Sequence, residues 1–205
     1  MRVNILKSIK SSVFQETELD KIASIMQSSQ KLCNMTQQYR EQLESVVEQA
    51  DKKALKEQKI KKFPAFTPCA SFYDGRTRQD VIGLTGLCFL DIDQISDEKQ
   101  LLEAMDILRK DPHVVMASRS LSGNGLHILI RYRVHGVEVL PQRVTMTPDK
   151  MQRFYAKVYL HIATMYQQKL GQEMDSSSGH MEHLYIVSYD PELYYNPNAE
   201  ALLIE

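Results

Sequence analysis

The apolar run from Val81 to Leu90 closes on two carboxylates two residues apart, Asp91 and Asp93 in Phe89-Leu90-Asp91-Ile92-Asp93. A run of this kind reads as buried strand, and alternation along a strand sends residues i and i+2 to one face. Asp91 and Asp93 then project side by side while Ile92 turns into the core. Adjacent carboxylates repel, and a divalent cation relieves that repulsion through the hard oxygen coordination that suits Mg²⁺ or Mn²⁺. Taken alone, such a pair is more often a strand running out into a solvated acidic turn. Two motifs downstream shift the balance towards a metal site.

The first is Ser120-Leu121-Ser122-Gly123-Asn124-Gly125-Leu126-His127, followed by Ile128-Leu129-Ile130. It reads as a glycine turn feeding a strand, in which Ser122 to Gly125 adopt positive φ and expose successive backbone N–H groups to a phosphate. His127, at the strand's start, is placed to hydrogen-bond a phosphate oxygen or to bridge to a metal-bound group. The plainer alternative is a hairpin turn with a half-exposed histidine. The second motif is Met174-Asp175, at the end of a long helical pattern and ahead of Ser176-Ser177-Ser178-Gly179 and the strand Leu184-Tyr185-Ile186-Val187-Ser188. By itself Asp175 is loop punctuation. In this order it offers a third carboxylate from a distant part of the chain.

An Asp-x-Asp strand end, a Ser-x-His-like motif opening a strand and a later hydrophobic-Asp motif together resemble the archaeo-eukaryotic primase superfamily. Within it the chain is most similar to the primase-like domain called the VirE N-terminal domain, found in mobile-element and phage proteins, notably of Bacteroidetes. The resemblance is carried by Leu84-Thr85-Gly86-Leu87 before the Asp-x-Asp motif, by the Ser122 to His127 turn, by Val187-Ser188-Tyr189-Asp190-Pro191 and by Tyr195-Asn196-Pro197-Asn198-Ala199. It runs from about Phe63 to Ala199. It implies template-directed nucleotidyl transfer, with Asp91, Asp93 and Asp175 holding Mg²⁺ or Mn²⁺ and, through the ions, the triphosphate of an incoming nucleotide. His127 corresponds to the motif histidine that contacts the phosphates, with Ser122, Gly123 and Gly125 shaping the turn. Relatives place an arginine shortly after the third carboxylate, where this chain has His183. A histidine is charged only part of the time near neutral pH, which makes phosphate attraction there weaker and pH-sensitive. The implied partners are nucleoside triphosphates, a single-stranded DNA template, and a helicase domain or partner.

The residues alone lead to the same chemistry. Nucleotidyl transfer needs metal-held charge at the triphosphate and no covalent nucleophile, and three carboxylates suffice as the protein's contribution. Template binding falls to basic and aromatic groups. Arg119, Arg131 and Arg133 flank the glycine turn, and Arg76 and Arg78 precede the Asp-x-Asp strand, although exposed arginines are commonly just solvated. Lys and Arg number 25 against 26 Asp and Glu, a net charge of −1, so no global basic field announces nonspecific nucleic-acid binding. The distribution is uneven: the segment up to Lys62 has a basic excess, and no Lys or Arg follows Lys169.

With 205 residues and 43% hydrophobic content, the chain can bury one core with an appended helical element. The expected organisation is a mostly helical N-terminal extension over residues 1–62 packed on a catalytic domain over 63–205, separated at Phe63-Pro64-Ala65-Phe66-Thr67-Pro68. Val3 to Phe14 reads as an extended segment. Thr17 to Gln30 reads as a helix started by Thr17-Glu18-Leu19-Asp20, and Leu32 to about Lys59 as one long helix with Leu43, Val46, Val47 and Leu55 as its sparse apolar positions. Beyond the Asp-x-Asp strand come a helix over Ser96 to Lys110 with Leu101, Leu102, Met105 and Leu108 inward, a strand over Val114 to Ser118, a strand over Leu126 to Val134, and a helix capped by Thr147 that runs from Pro148 to about Leu170. The fold class is therefore α+β, with an RRM-like palm layer whose mixed β-sheet is packed by helices, plus the N-terminal helical region.

Cys33, Cys69 and Cys88 form no C-x-x-C pair and suggest no disulfide framework. The start lacks an apolar h-region and no run approaches transmembrane length, so a cytoplasmic protein without a membrane partner is expected. His180 and His183 lack the cysteines of a zinc site, and Tyr189, Tyr194 and Tyr195 offer either base stacking or packing of a C-terminal turn. Two further functions fit less of the pattern. A catalytically weak primase-like module that binds single-stranded nucleic acid or a helicase partner accounts for His183 and the balanced charge. A rolling-circle nicking enzyme needs a His-x-His motif, which is absent from the sequence.

Overall fold

A computed structural model describes residues 1–46, 49–95 and 97–205. The centre is an antiparallel array in which β8 (Leu126–Val134) lies between β6 (Leu87–Ile92) and β7 (Val114–Arg119). β10 (Tyr194–Tyr195) adds to the far edge of β7, and β11 (Leu202–Ile204) runs parallel to the last three residues of β8, so the sheet is mixed. Register sets Asp91 opposite His127 and Ser118 opposite His127 on the other side. Three separated segments thereby meet at one row of the sheet.

α4 (Glu98–Arg109) and α5 (Pro148–Leu170) are the crossover helices of the expected strand-helix-strand-strand-helix-strand order. α5 ends at Gly171 in the left-handed conformation, φ 65°, which glycine adopts without a Cβ penalty. In α4 the buried stripe is Leu101, Ala104, Met105 and Leu108, the i, i+3, i+4, i+7 set. Leu102 lies roughly one position's rotation off that stripe and is 42% exposed, contrary to the inward orientation expected of it. Thr147 precedes Pro148 at the start of α5 but makes no side-chain cap bond. The final strand, β9 (Tyr185–Ile186), pairs with β3 (Ala65–Thr67) rather than with the central sheet. The structure is thus α+β, with the last strand of the palm-like order given over to a second sheet.

That second sheet runs β2 (Phe14–Glu18), β1 (Arg2–Leu6), β3, β9, all antiparallel. Strand β1 therefore ties the N-terminal segment to residues beyond Phe63. Thr17 pairs with Val3 inside β2, so the helix expected from Thr17 begins at Leu19 as α1 (Leu19–Ser28). Ser29 is extended and its hydroxyl accepts from Leu32 N–H, which starts a separate helix, α2 (Gln30–Ser45). The single helix expected from Leu32 to Lys59 is α2 followed by α3 (Gln49–Lys62). Val47, one of its expected apolar positions, and Ser96, the expected start of α4, lie outside the described residues. β4 (Ala70–Phe72) and β5 (Val81–Leu84) form a small antiparallel pair.

A single core joins Met26, Leu32, Tyr39 and Leu55 to Phe66, Phe89, Leu129 and Tyr155. A chain of rings links the two sheets: Phe66 stacks on Tyr185 at 4.7 Å, and Tyr185 lies 5.2 Å from Phe89, each pair worth roughly 1 kcal/mol beyond its area. All three cysteines are buried and free. Among the described residues no helix is long and apolar enough to cross a membrane.

One buried polar cluster fastens α5 to β7. Asp111, 4% exposed, accepts from Tyr166 Oη at 2.8 Å, from Lys169 Nζ, and from His113 N–H at 2.8 Å. Burial raises its carboxyl, but these bonds outweigh burial and hold it below the ordinary range. A depressed folded value means the cluster stabilises above the unfolded carboxyl's titration and loses that contribution as pH falls through the folded one. Asp111→Ala leaves three donors without their acceptor and is expected to cost about 2 kcal/mol at neutral pH. Denaturant unfolding checks this, and the difference from wild type should shrink in acid.

Candidate metal and phosphate site

β6 delivers Asp91 as its penultimate residue, and Asp93 follows just past the strand's end. Asp175 arrives from the far end of α5, on a loop that this helix grips by one face. Gln152 Nε2 donates to Gly179 O at 2.8 Å, Tyr155 Oη to Ser178 O at 3.2 Å, and Tyr159 Oη to Asp175 O at 2.7 Å. These i, i+3, i+7 side chains lie along one stripe of the helix. The Asp175 N–H donates to Asp91 O at 2.8 Å and fastens the loop to the sheet. One ligand oxygen from each of Asp91, Asp93 and Asp175 lies within 4.8 Å of the other two.

Burial first, and then the charge of Asp93, push Asp91 up to about 7, with Asp175 adding to the rise and His183 opposing it. Asp175 goes the other way. Burial raises it, but the Ser177 hydroxyl, the Ser177 N–H at 2.9 Å and nearby His183 hold it below the usual range. His127 is buried, and burial followed by the charge of Lys59 lowers its imidazole to about 3, so it is neutral at physiological pH. Its Nε2 lies 3.5 Å from Asp91 Oδ1, a contact between a neutral ring and a carboxyl rather than an ion pair. Asp91 Oδ1 and His127 Nδ1 are both buried without a hydrogen-bond partner.

An orphaned, buried carboxylate oxygen amid two other carboxylates fits a hard divalent cation. Asp91, Asp93 and Asp175 are the residues that can hold one.

A cavity of about 230 Å³ opens over the triad, lined also by Ser120, Ser122, His127 and His183. The glycine turn behaves differently from its sequence-based expectation. Only Gly123 has positive φ, 88°, and the N–H groups of Gly123 and Gly125 are taken inside the turn by Ser120 O and Ser120 Oγ. The turn thus presents the Ser122 side chain to the cavity wall, while its glycine N–H groups serve the fold. His183 lines the same cavity, 5.4 Å from Phe89, with burial lowering its pKa. Lacking a permanent charge, it differs from the arginine of the resemblance in kind.

The arginines are dispersed. Arg119 is engaged by Glu98, Arg78 by Glu182 at 3.2 Å and Asp149 at 3.8 Å, and Arg131 Nη1 donates to Ala199 O. Arg76 lines a neighbouring cavity with His180. Tyr194 and Tyr195 pair with β7, and with Tyr189 they pack against the core.

Residues 1–62 supply three groups that sequence reasoning missed. Tyr39 and Lys59 line the acidic cavity. Arg40 grips the glycine turn, donating to Leu121 O at 3.1 Å and Ser120 O at 3.2 Å. No local pattern marks them, because each meets its neighbours across a wide sequence separation. The basic excess of the segment was the only trace.

Compared with known families, residues 58–195 match the family described as BT4734-like, N-terminal domain. No curated protein and no solved structure matches the chain.

Proposed function

The chain belongs to the BT4734-like, N-terminal domain family, and from that premise and the geometry of the acidic site we propose that it is a primase-type domain performing template-directed nucleotidyl transfer. The observation that carries this reading is the convergence of Asp91, Asp93 and Asp175 around a buried, unpartnered Asp91 oxygen. The motif order adds the superfamily resemblance, and with it a setting in a cytoplasmic mobile-element or phage replication protein that works with single-stranded DNA and a helicase. When bound, Mg²⁺ or Mn²⁺ supplies charge neutralisation at the triphosphate and acidifies the attacking 3′-hydroxyl. The protein's own contributions are positional. Asp91 on β6, Asp93 just past its end and Asp175 on the loop gripped by α5 form the acidic end of the cleft. Neutral His127, fixed by its register opposite Asp91, offers a ring nitrogen to a phosphate oxygen. Ser122 adds a hydroxyl at the wall of the cavity.

The test is primer synthesis and primer extension on single-stranded DNA with Mg²⁺ or Mn²⁺, comparing wild type with Asp91→Ala/Asp93→Ala. Product from wild type and background from the double variant is the expected result. No product from either, with single-strand binding retained, replaces this reading with a non-catalytic binding module.

A further inference from the structure

The acidic cavity is not isolated. A second cavity of about 560 Å³ adjoins it, and the two share Lys59, His183, Leu184 and Ile186 along their common wall. Their charges are opposed. Three carboxylates crowd one end, whereas the second cavity is lined by Lys59, Arg76, Arg78, His180 and a single carboxylate, Glu182. That carboxylate is taken by Arg78. Lys59 and Arg76 form no ion pair among the described residues, while Lys61, two positions along the same helix, is paired with Glu57. A cleft with acids at one end and uncommitted cations at the other suits a ligand that is anionic where it leaves the acidic site.

We propose that Lys59, carried by α3 of the N-terminal segment, anchors a phosphate group of the ligand at the wall between the two cavities, so that residues 1–62 complete the site rather than merely packing against it. Lysine suits this place because an ammonium is a compact point charge on a flexible stem and needs no fixed bidentate geometry. The proposal rests on the nucleotidyl-transfer reading of the acidic site and adds to it the residue that holds the phosphate. Phosphate can reach Lys59 from a nucleoside triphosphate or from the backbone of a nucleic-acid strand.

The experiment uses the full chain as wild type, Lys59→Ala and Lys59→Arg, with thermal melts to establish that each is folded. Binding of inorganic tripolyphosphate and of a short oligothymidylate is measured with and without Mn²⁺, and Mn²⁺ binding alone by electron paramagnetic resonance. Lys59→Ala is expected to weaken tripolyphosphate binding roughly tenfold or more, Lys59→Arg to restore most of it, and Mn²⁺ binding to be retained in both. If the loss appears with oligothymidylate and not with tripolyphosphate, Lys59 meets the strand's backbone and the anchor stands. Equal binding of both probes by wild type and Lys59→Ala overturns the proposal, as does absence of binding of either probe to the wild type. Absence of Mn²⁺ binding to the wild type defeats the metal reading separately, because the metal-free arm still compares the Lys59 variants.

Discussion

Asp91→Asn is expected to make the metal-free protein more stable above neutral pH and at the same time to abolish its stabilisation by Mn²⁺. The Asp91 side chain is 13% exposed, its Oδ1 has no hydrogen-bond partner, and burial together with Asp93 raises its pKa from 3.8 to about 7. A carboxyl whose folded pKa lies above its unfolded value contributes fully only below the unfolded value. That contribution disappears as pH rises through about 7. Converted at 1.36 kcal/mol per pH unit, the ionised carboxylate costs the fold on the order of 4 kcal/mol. Asparagine has nearly the same shape and no charge to ionise, so the variant should lack this loss. Binding of a divalent ion requires the ionised form, and below about pH 7 it must displace a proton. Urea unfolding in chelator across this range, repeated with Mn²⁺, measures both effects. A variant less stable than wild type in chelator above neutral pH would mean that Asp91 is bonded structurally and that the triad does not store the repulsion a cation relieves.

The sequence made the sheet end legible because alternation and strand length are local properties. Asp91 and Asp93 at the end of β6, the span of β8 from Leu126 to Val134 and the start of α5 at Pro148 all follow from patterns within a dozen residues. That Asp175 lies beside Asp91 was indicated only by the order of motifs along the chain. Its actual position depends on three α5 side chains holding a loop, which no periodicity announces. Pairings of two or three residues were illegible for the same reason. β9 is too short to declare a partner, and its bond to β3 is fixed by Phe66 stacking on Tyr185. The break between α2 and α3 was hidden because a Gln, Glu and Lys-rich stretch without Gly or Pro has no composition cue for a stop. The glycine turn misleads about its atoms. Its spacing suggests N–H groups open to a phosphate, whereas both glycine N–H groups close the turn itself.

Gly125 has a different reason to be glycine, and its substitution should destabilise the fold strongly. A Cβ built there lies 2.1 Å from Ile92 O, 2.8 Å from Asp93 O and 3.0 Å from Asp93 C, all backbone atoms of the segment that ends β6. The constraint is close approach, since Gly125 is not among the positive-φ residues. One bond spans this approach, from Ile95 N–H to Asn124 O at 2.6 Å, while Ser120 N–H donates to Gly125 O at 2.8 Å within the turn itself. Neither side can yield like a flexible side chain. Gly125→Ala must therefore push the start of β8 away from the residues that position Asp93. The expected cost is about 3 kcal/mol or more, read as a fall in Tm of roughly 6 to 12 °C, with weakened Mn²⁺ binding in whatever fraction stays folded. Gly136 supplies the control. It has φ +72° and no heavy atom within 4 Å of where a Cβ would sit, so Gly136→Ala meets only the left-handed strain, about 1 to 2 kcal/mol, and leaves Mn²⁺ binding intact. Melting curves of the two variants, each with and without Mn²⁺, separate close packing at the acidic site from ordinary turn strain. Equal shifts in the two would mean that β6 and β8 can part at this end without cost, and that the position of Asp93 does not depend on Gly125.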